Sequence, residues 1–224
     1  VLKNDNAEAD DLIARWIALH PTDDHVIISS DSDFYQLLTN HVVQYNGISD
    51  QLITLDGFFD AKDKPVIDNK TKEPKTPPSP KWLLFEKCMR GDSADNIFSA
   101  FPGVRKKSTK KRIGLLEAFD DMDTKGYAWN NLMLQHWTDH NDIEHRVLDD
   151  YERNKQLIDL TQQPKSIIKS VDESIKETVT SKNVSGVGIH FLRFCGKYEL
   201  TNISNYPDQY AKWLNKPYRG ELND

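Results

Sequence analysis

The chain has 224 residues, of which 38% are hydrophobic and 29% are charged, and its formal net charge at pH 7 is -6. This composition is typical of a soluble globular protein with one good core or two small ones, and the negative sum argues against bulk binding of nucleic acid. The apolar runs are too short to cross a membrane and no signal-peptide pattern opens the chain, so we expect a cytoplasmic protein without membrane partners. Cys88 and Cys195 lie far apart in amphipathic segments, which favours buried thiols over a disulfide.

The first predicted element is an amphipathic helix from Ala7 to His20, with apolar residues on one broad face. Its first turn contains Glu8, Asp10 and Asp11. Acidic residues are common there because they interact favourably with the helix dipole, so these carboxylates have an ordinary structural explanation beside a functional one. Glu8 and Asp11 nevertheless share a face of the helix at i, i+3.

The segment from His25 to Phe34 predicts a buried strand that ends on two carboxylates, Asp31 and Asp33. Three β-branched residues followed by small polar ones are typical of a central parallel strand whose carboxyl end opens into a site. Two further short strands are predicted at 42–45 and 51–55, around an Asn-Gly turn. They would extend the edge of the sheet.

The segment from Asp60 to Pro80 is rich in Lys, Asp, Pro and Thr and predicts a loop between an α/β region, residues 1–78, and a helical region, residues 79–224. Ser79 as N-cap and Pro80 at the first helical position predict a helix that ends near Gly91. The rest of the chain is predicted to be helical, with amphipathic segments at 125–137, 142–160, 165–179, 186–198 and 207–214.

Three acidic clusters contain carboxylates that could line one pocket. They are Glu8, Asp10, Asp11, Asp31, Asp33, Asp92 and Asp95. Hard oxygen ligands of this kind suit Mg²⁺ or Mn²⁺, and zinc is disfavoured because the nearest histidine, His25, lies at the other end of its strand. A pair of cations would offset the mutual repulsion of converging carboxylates. Two ions would also support in-line phosphoryl transfer, with a phosphodiester as the expected substrate.

A basic run follows the turn at Phe101-Pro102-Gly103-Val104 and leads into a helix predicted to be capped by Ser108 or Thr109. The run consists of Arg105, Lys106, Lys107, Ser108, Thr109, Lys110, Lys111 and Arg112. Backbone N–H groups at the helix start could hold a phosphate while the cations neutralise its neighbours, without reading bases. The alternative is a solvated basic face, but the position of the run shortly after the third acidic cluster favours contact with nucleic acid.

Four motifs resemble, in order and spacing, those of the flap-endonuclease (5′ nuclease) family. They are Glu8-Ala9-Asp10-Asp11, Ser30-Asp31-Ser32-Asp33-Phe34, Gly91-Asp92-Ser93-Ala94-Asp95-Asn96 and Phe101-Pro102-Gly103-Val104. The carboxyl half is similar to the branch of that family formed by the ribonucleases H of T-even and related bacteriophages. The matching segments are Tyr151-Glu152-Arg153-Asn154, Leu157-Ile158-Asp159 and Tyr198-Glu199-Leu200-Thr201-Asn202.

The resemblance implies a PIN-like nuclease core with a mostly parallel sheet and flanking helices, followed by a helical region with a helix-three-turn-helix motif. It implies an enzyme of DNA replication that uses two Mg²⁺ or Mn²⁺ ions to remove RNA primers and 5′ flaps from DNA and RNA–DNA duplexes. Asp10, Asp31 and Asp33 would be catalytic, all seven carboxylates would hold the ions directly or through water, and Gly103 to Arg112 would grip the duplex. Implied partners are replication proteins such as a single-strand-binding protein or sliding clamp, in the cytoplasm of a bacteriophage host.

The sequence departs from the family pattern at two places. Arg105 occupies the position of a second glycine in the duplex-binding turn, where the family builds a K⁺ site from backbone carbonyls. Val1-Leu2-Lys3 resembles the tail of a strand, and we expect a fragment that lacks the first-strand aspartate and the basic arch of the family. Such a fragment should bind duplex DNA but cleave it slowly.

Two other functions fit parts of the sequence. Asp31-Ser32-Asp33 after a strand and Gly91-Asp92 resemble motifs of haloacid-dehalogenase-type phosphatases, which require Gly-Asp to follow a strand and would leave Glu8 to Asp11 without a role. A non-catalytic duplex-binding fragment with an incomplete metal site is the second alternative.

Overall fold

The computed structural model describes residues 2–110, 112–179 and 186–219. The chain divides into two compact units, Val1–Ile175 and Lys176–Asp224. The predicted boundary between residues 78 and 79 falls inside the first unit. Side chains on the two sides of it are in contact, since Lys87 pairs with Asp33, and a domain boundary at this position stays a prediction.

A small mixed sheet lies in the first unit. Its strands are β1 (His25–Ile28), β2 (Val42–Asn46), β3 (Gln51–Ile53) and β4 (Phe58–Asp60), in that spatial order. β1 and β2 are parallel, whereas β2–β3 and β3–β4 are antiparallel. The prediction of a mostly parallel sheet is therefore wrong for the described strands, because the short connections on both sides of β3 permit only antiparallel pairing.

β1 is an edge strand of this sheet, and the prediction of a buried central strand is wrong for the residues that the structure describes. Ile27 is buried against Ala14, Phe34 and other residues of one cluster, while 60% of Val26 and 79% of Ile28 is exposed. Successive side chains of a strand point to opposite faces, so only one face of β1 meets the core.

Helices contain far more of the described residues than strands do. They are α1 (Ala9–Leu19), a 3₁₀ helix (Ser32–Leu37), α2 (Pro80–Arg90), α3 (Leu115–Asp120), α4 (Tyr127–Met133), α5 (Val147–Ile158), α6 (Lys165–Val179), α7 (Val187–Lys197), α8 (Thr201–Ser204) and α9 (Pro207–Arg219). The start of α2 is confirmed, because the Ser79 side chain accepts a hydrogen bond from the N–H of Trp82 and Pro80 is the first helical residue. The described chain is thus a mixed α/β protein with a small sheet and many helices.

A β-hairpin interrupts the region that was predicted to be entirely helical. β5 (His136–Thr138) and β6 (Glu144–Arg146) pair antiparallel, with Trp137 opposite His145. The turn between them is held by Asp139, whose side chain accepts the N–H groups of Asn141 and Ile143 at 2.8 and 2.9 Å. The polar run between two short apolar-containing segments was a turn signal, and the helical prediction missed it.

The predicted loop between Asp60 and Pro80 is an ordered ribbon that extends the sheet. Phe58 of β4 accepts the N–H of Val66 at 2.8 Å, and Val66 accepts the N–H of Lys75 at 2.7 Å. Asp60 and Asp68 each accept backbone N–H groups in the two turns of this ribbon. These local bonds give the segment its shape despite its polar composition.

The largest core of the first unit surrounds Phe85 of α2, with Trp129 of α4 and Tyr151 of α5 as ring neighbours. The two cysteines, Cys88 and Cys195, are buried free thiols, as predicted. Burial raises the pKa of the Cys88 thiol to about 12. No helix in the described ranges combines the length and apolar composition needed to cross a bilayer.

Candidate metal centre

Asp31 and Asp33 lie in the turn that follows β1 at its carboxyl end. The Asp31 side chain accepts the N–H of Asp33 at 2.9 Å, which starts the 3₁₀ helix. Behind the turn, the fully buried Gln44 of β2 donates from Nε2 to the carbonyl oxygens of Ser29 and Asp31, each at 2.8 Å. Because the turn is held by both its own side chain and its neighbouring strand, the backbone beneath Asp33 has a defined position.

Asp92 and Asp95 lie in a closed loop that follows α2. The helix ends at Gly91, whose φ of 76° is strained for other residues and where a Cβ would overlap the carbonyl oxygen of Ile97. Asp92 and Ile97 pair through backbone hydrogen bonds of 2.8 Å in both directions, which closes the loop. The Asp92 side chain also accepts the N–H of Ala94 at 2.9 Å.

The two segments bring Asp33, Asp92 and Asp95 together. Each offers one carboxylate oxygen, and these three atoms lie within 4.8 Å of one another. Asp33 and Asp92 are partly buried and Asp95 is exposed, so the group opens to solvent on one side. Residues that are about sixty positions apart in sequence therefore form one acidic group.

Lys87, in the last turn of α2, offsets part of the negative charge of this group. Its Nζ donates to Asp33 and, at 2.6 Å, to Oδ2 of Asp92, and only 20% of its side chain is exposed. Burial alone would lower the pKa of Lys87, but the hydrogen bonds to both carboxylates outweigh burial and raise it. The same contact lowers the pKa of Asp92. We call Asp33, Asp92, Asp95 and Lys87 the acidic centre.

Asp10 is partly buried in the first turn of α1. Burial raises the pKa of Asp10, and the negative charges of Asp11 and Asp31 raise it further. Neither Asp10 nor Asp31 belongs to the group of three carboxylates that the described residues bring within 4.8 Å of one another.

Asp11 and Glu8 face a different environment. The Asp11 carboxylate accepts the N–H of Glu8 at 3.1 Å and Nε2 of Gln163 at 2.9 Å, so both of its oxygens stabilise local structure. Glu8 is exposed at the start of α1, where it lines a cavity of about 570 Å³ together with Asp10, Asp159 and other residues. These contacts give Asp11 a structural role that sequence alone did not separate from a ligand role.

The acidic centre fits a hard divalent cation. Its donors are three carboxylate oxygens within 4.8 Å of one another, the ligand type that Mg²⁺ and Mn²⁺ prefer. Asp33, Asp92 and Asp95 would hold such an ion, and Lys87 already shows that the site accommodates positive charge.

The residues from Gly103 to Arg112, which we call the basic turn, are mostly exposed. Gly103 has a φ of 72° in open space, and Arg105, Lys106, Lys107, Lys110 and Arg112 are all exposed. None of these five cations forms an ion pair with another described residue. Lys111 lies outside the described residues. The charge of this surface is therefore available to a ligand.

The predicted start of the helix that follows the basic turn is wrong. α3 begins at Leu115 with Gly114 as N-cap, later than the predicted cap at Ser108 or Thr109. Its first N–H groups are already used, because Leu115 donates to the carbonyl of Arg105 and Leu116 to that of Lys106, at 2.9 and 3.0 Å. The N–H groups of Leu115 and Leu116 are therefore not available to a phosphate.

The backbone of the basic turn is nevertheless well supported. The N–H of Ser108 donates to both carboxylate oxygens of Glu117 at 3.1 Å, and the Ser108 hydroxyl accepts the N–H of Gly114 at 2.8 Å. These bonds lower the pKa of Glu117. A Cβ at Gly114 would overlap the backbone of Lys107, so the close approach of the turn to α3 requires glycine.

The phosphatase alternative does not fit this arrangement. Gly91-Asp92 follows α2 and not a strand, as that fold would require. The acidic centre is the better explanation of both aspartates.

Comparison with known proteins finds limited similarity. No family model matches the chain. A DNA polymerase I from Rhizobium leguminosarum is 30% identical over 125 residues, which is 55% of this chain and 10% of that protein. The matched part is thus about a tenth of the length of that relative, and the activities of the whole polymerase do not transfer with it.

Several solved structures from bacteriophage T5 are similar to this chain. The T5 D15 protein co-crystallised with metal ions has a TM-score of 0.43, 18% identity, and covers 75% of this chain and 60% of its own. A T5 5′-exonuclease variant has a TM-score of 0.44, 19% identity, and covers 75% and 65%. A T5 flap endonuclease complex with DNA and metal ions has a TM-score of 0.44, 19% identity, and covers 75% and 59%. None of the proteins named here is a T-even ribonuclease H, so that finer resemblance stays a prediction.

Sequence reasoning missed Lys87 and Gln44. Lys87 lies five positions before Asp92, which is just over one helical turn, and a lysine so close to a terminal Gly-Asp was a usable signal. Gln44 alternates with apolar residues along β2 and appears polar and exposed in sequence, although it is fully buried. Its contact with the turn at Asp31 depends on the pairing of β1 with β2, so no pattern in the neighbouring sequence could predict it.

Proposed function

We propose that this chain is a divalent-metal-dependent 5′ nuclease that hydrolyses phosphodiesters of duplex or flap DNA. The observation that carries the proposal is the convergence of Asp33, Asp92 and Asp95 around one small volume, with the exposed basic turn in the same unit. The four ordered sequence motifs and the partial match to a DNA polymerase I support it. Removal of RNA primers and flaps during replication is the finer form of the same proposal.

Each part of the site has a separate task in this mechanism. A bound Mg²⁺ or Mn²⁺ would activate water and stabilise charge on the phosphate oxygens. Asp33, Asp92 and Asp95 would hold it, Asp10 and Asp31 would supply ligands for a second ion, and Glu8 would contribute through water. Lys87 offsets the mutual repulsion of Asp33 and Asp92 and would add a positive charge beside the reacting phosphate.

The basic turn would bind the duplex through its phosphates. Its side chains are free of ion pairs among the described residues, and neutralising each phosphate releases counterions from DNA. No base-specific contact is required, so binding should depend on the shape and charge of the substrate. Arg105 stands where the family has a glycine, and we propose no K⁺ site there.

The test is a cleavage assay on a 5′-labelled flap DNA and on a matched RNA–DNA hybrid. The purified chain is incubated with Mg²⁺, with Mn²⁺, and with excess EDTA, and products are separated by length. Cleavage that needs a divalent ion and starts from the 5′ end supports the proposal. Binding of duplex DNA without cleavage under any of these ions would favour the alternative of a non-catalytic DNA-binding fragment, in which Lys87 replaces the ion.

A further inference from the structure

The loop that contains Asp92 and Asp95 begins where α2 stops, which leaves a helix carbonyl without its usual partner. In a continuing α-helix the carbonyl of Cys88 would accept the N–H four residues later, that of Asp92. Here the N–H of Asp92 donates to the carbonyl of Ile97 at 2.8 Å. Cys88 is fully buried, so its carbonyl needs another donor from within the protein.

Asn154 of α5 is that donor. Its side chain is fully buried, and its Nδ2 donates to the carbonyl oxygens of Cys88 at 2.9 Å and of Phe98 at 2.7 Å. Cys88 precedes the closed loop and Phe98 follows it directly after Ile97. One amide group therefore ties the entry of the loop to its exit, and both of its hydrogens are used.

The orientation of this amide is set by the neighbouring side chains of Arg153 and Asp150. The Asn154 Oδ1 accepts from Nη2 of Arg153 at 3.2 Å, and Nη1 of Arg153 donates to the buried Asp150 at 2.6 Å. Asp150 in turn lies 3.1 Å from Nδ1 of His145, whose ring stacks on Trp137. With its oxygen facing a cation, the amide must present its nitrogen to the two carbonyls.

The β5–β6 hairpin also contacts the chain that follows the Asp92 loop. Nε1 of Trp137 donates to the carbonyl of Ala100 at 2.9 Å, two residues beyond Phe98. On the other side, the carbonyl of Met89 accepts the Ser99 hydroxyl at 2.8 Å and the N–H of Ala100 at 3.1 Å. The end of α2 and the chain after the loop are thus fixed in part by residues more than thirty positions away.

We propose that Asn154 is a positioning residue of the acidic centre. Its amide fixes both ends of the loop, so that Asp92 and Asp95 stay within reach of Asp33 before an ion binds. The inference rests on the proposed function only in treating these three carboxylates as a site for a divalent cation. A loop that is already ordered loses little freedom on binding, and groups that orient metal ligands typically change metal affinity by about 10–100-fold.

The test compares two variants that both weaken the same core. Asn154→Asp keeps the size of the side chain and the acceptor for Arg153, but it removes the two donated hydrogens. Leu132→Ala opens the core around Phe85 without touching either carbonyl. The Kd for Mn²⁺ is measured by electron paramagnetic resonance without DNA, at a temperature where circular dichroism shows each variant fully folded.

We expect the Kd for Mn²⁺ to rise by about 10–100-fold in Asn154→Asp and to stay within about twofold of wild type in Leu132→Ala. Amide hydrogen exchange at Asp92 and Ile97, measured without metal, should accelerate only in Asn154→Asp. A folded Asn154→Asp protein with wild-type affinity and wild-type exchange overturns the proposal.

A second variant decides the matter if Asn154→Asp does not fold. Arg153→Gln changes a side chain that is 49% exposed and removes the cation that orients the amide. Weaker Mn²⁺ binding with faster loop exchange then supports the proposal, and unchanged values overturn it. If the wild-type chain binds Mn²⁺ but cleaves no DNA, the proposed nuclease function is wrong and the role of Asn154 is unaffected. If the wild-type chain binds no Mn²⁺, both proposals are wrong.

Discussion

The acidic centre and the basic turn are both charged surfaces, but they are built in opposite ways. At the acidic centre, Asp33 and Asp92 expose 24% and 15% of their side chains and share one lysine. At the basic turn, the described cations are exposed and have no acidic partner among the described residues. In the first region hydrogen bonds from Lys87 hold the side chains of Asp33 and Asp92, whereas in the second the hydrogen bonds hold the backbone.

This difference follows from what each region would have to do. An ion that activates water must be held within a fraction of an ångström of its working place, so its ligands need rotamers that neighbours restrict. Contacts with phosphates act through charge and tolerate mobile side chains, since each cation can adjust to the duplex. The comparison predicts that substitutions in the acidic centre change chemistry, whereas substitutions in the basic turn change affinity.

The largest effect is expected from Asp92→Asn. Loss of one of three converging carboxylates should lower the rate of flap cleavage by more than about 100-fold, because even groups one step removed from a metal ligand change affinity by about 10–100-fold. Duplex binding measured by fluorescence anisotropy without divalent ions should be unchanged. Asp56→Asn, at an exposed carboxylate elsewhere, is the control and should cleave normally. Normal cleavage by Asp92→Asn would contradict the assignment of the acidic centre.

The reverse result is expected for the basic turn. Replacing Lys106, Lys107 and Lys110 with Ala should reduce the slope of log affinity against log salt by about 0.9 for each phosphate that is no longer neutralised, and should leave the Kd for Mn²⁺ unchanged. The control replaces three exposed lysines of the ribbon. These are Lys62, Lys64 and Lys70. An equal reduction of the slope in both triple variants would show that the basic turn has no special role.

Lys87→Met tests whether a divalent ion can replace the lysine charge in stabilising Asp33 and Asp92. Without metal, the free energy of unfolding should fall by about 1–3 kcal/mol, less than for a fully buried pair because the ion pair is partly exposed. Saturating Mn²⁺ should restore stability, with about 2.7 kcal/mol gained at one hundred times the Kd. Lys81→Met, which breaks an exposed pair with Asp123, should change stability by less than about 1 kcal/mol. Failure of Mn²⁺ to stabilise Lys87→Met would contradict the metal site.

Gly103 in the basic turn and Gly114 just after it distinguish two effects of adding a Cβ, steric overlap and backbone strain. Gly114→Ala should destabilise the protein by about 1–3 kcal/mol, since the new Cβ would overlap the backbone of Lys107. Gly103→Ala should lower the free energy of unfolding by about 1–2 kcal/mol, the strain of a left-handed backbone at alanine, because its surroundings leave room for a Cβ. Urea denaturation measures both, and weaker duplex binding is expected only for Gly114→Ala. A larger destabilisation by Gly103→Ala would mean that the turn does not pack on α3 as described.

The smallest effect is expected from Glu117→Gln and depends on pH. The hydrogen bonds from Ser108 lower the pKa of Glu117 in the folded state, so the unfolded chain takes up the proton first as the pH falls. The stabilisation is therefore fully present above the ordinary glutamate pKa, about 4.3, and is lost as the pH falls below it towards the folded value. The difference in melting temperature between wild type and Glu117→Gln should shrink over that range. If the difference in melting temperature grew as the pH fell, the pKa of Glu117 would be raised and not lowered by folding, which would contradict the hydrogen bonds from Ser108.

Local sequence patterns were sufficient where the determining contacts are local. Ser79 and Pro80 predict the start of α2, and the Asn-Gly turn predicts the pairing of β2 with β3. The hairpin β5–β6 was missed although its polar turn was a local signal, whereas the late start of α3 depends on contacts across the basic turn. Glu117 and Gly114 hold Ser108 away from the helix that it was predicted to cap.

The sequence by itself determined which residue types are available: three acidic clusters, a basic turn, two buried thiols and helices with apolar faces. Only the tertiary structure decided that Asp33, Asp92 and Asp95 form one group, that Asp11 is held by Gln163, and that Lys87 supplies the opposing charge. It also assigned Asn154 to the ends of the Asp92 loop. The physical reason is that periodicity and capping act over a few residues, whereas the distance between two carboxylates sixty positions apart depends on how a strand, a helix and a buried amide pack together.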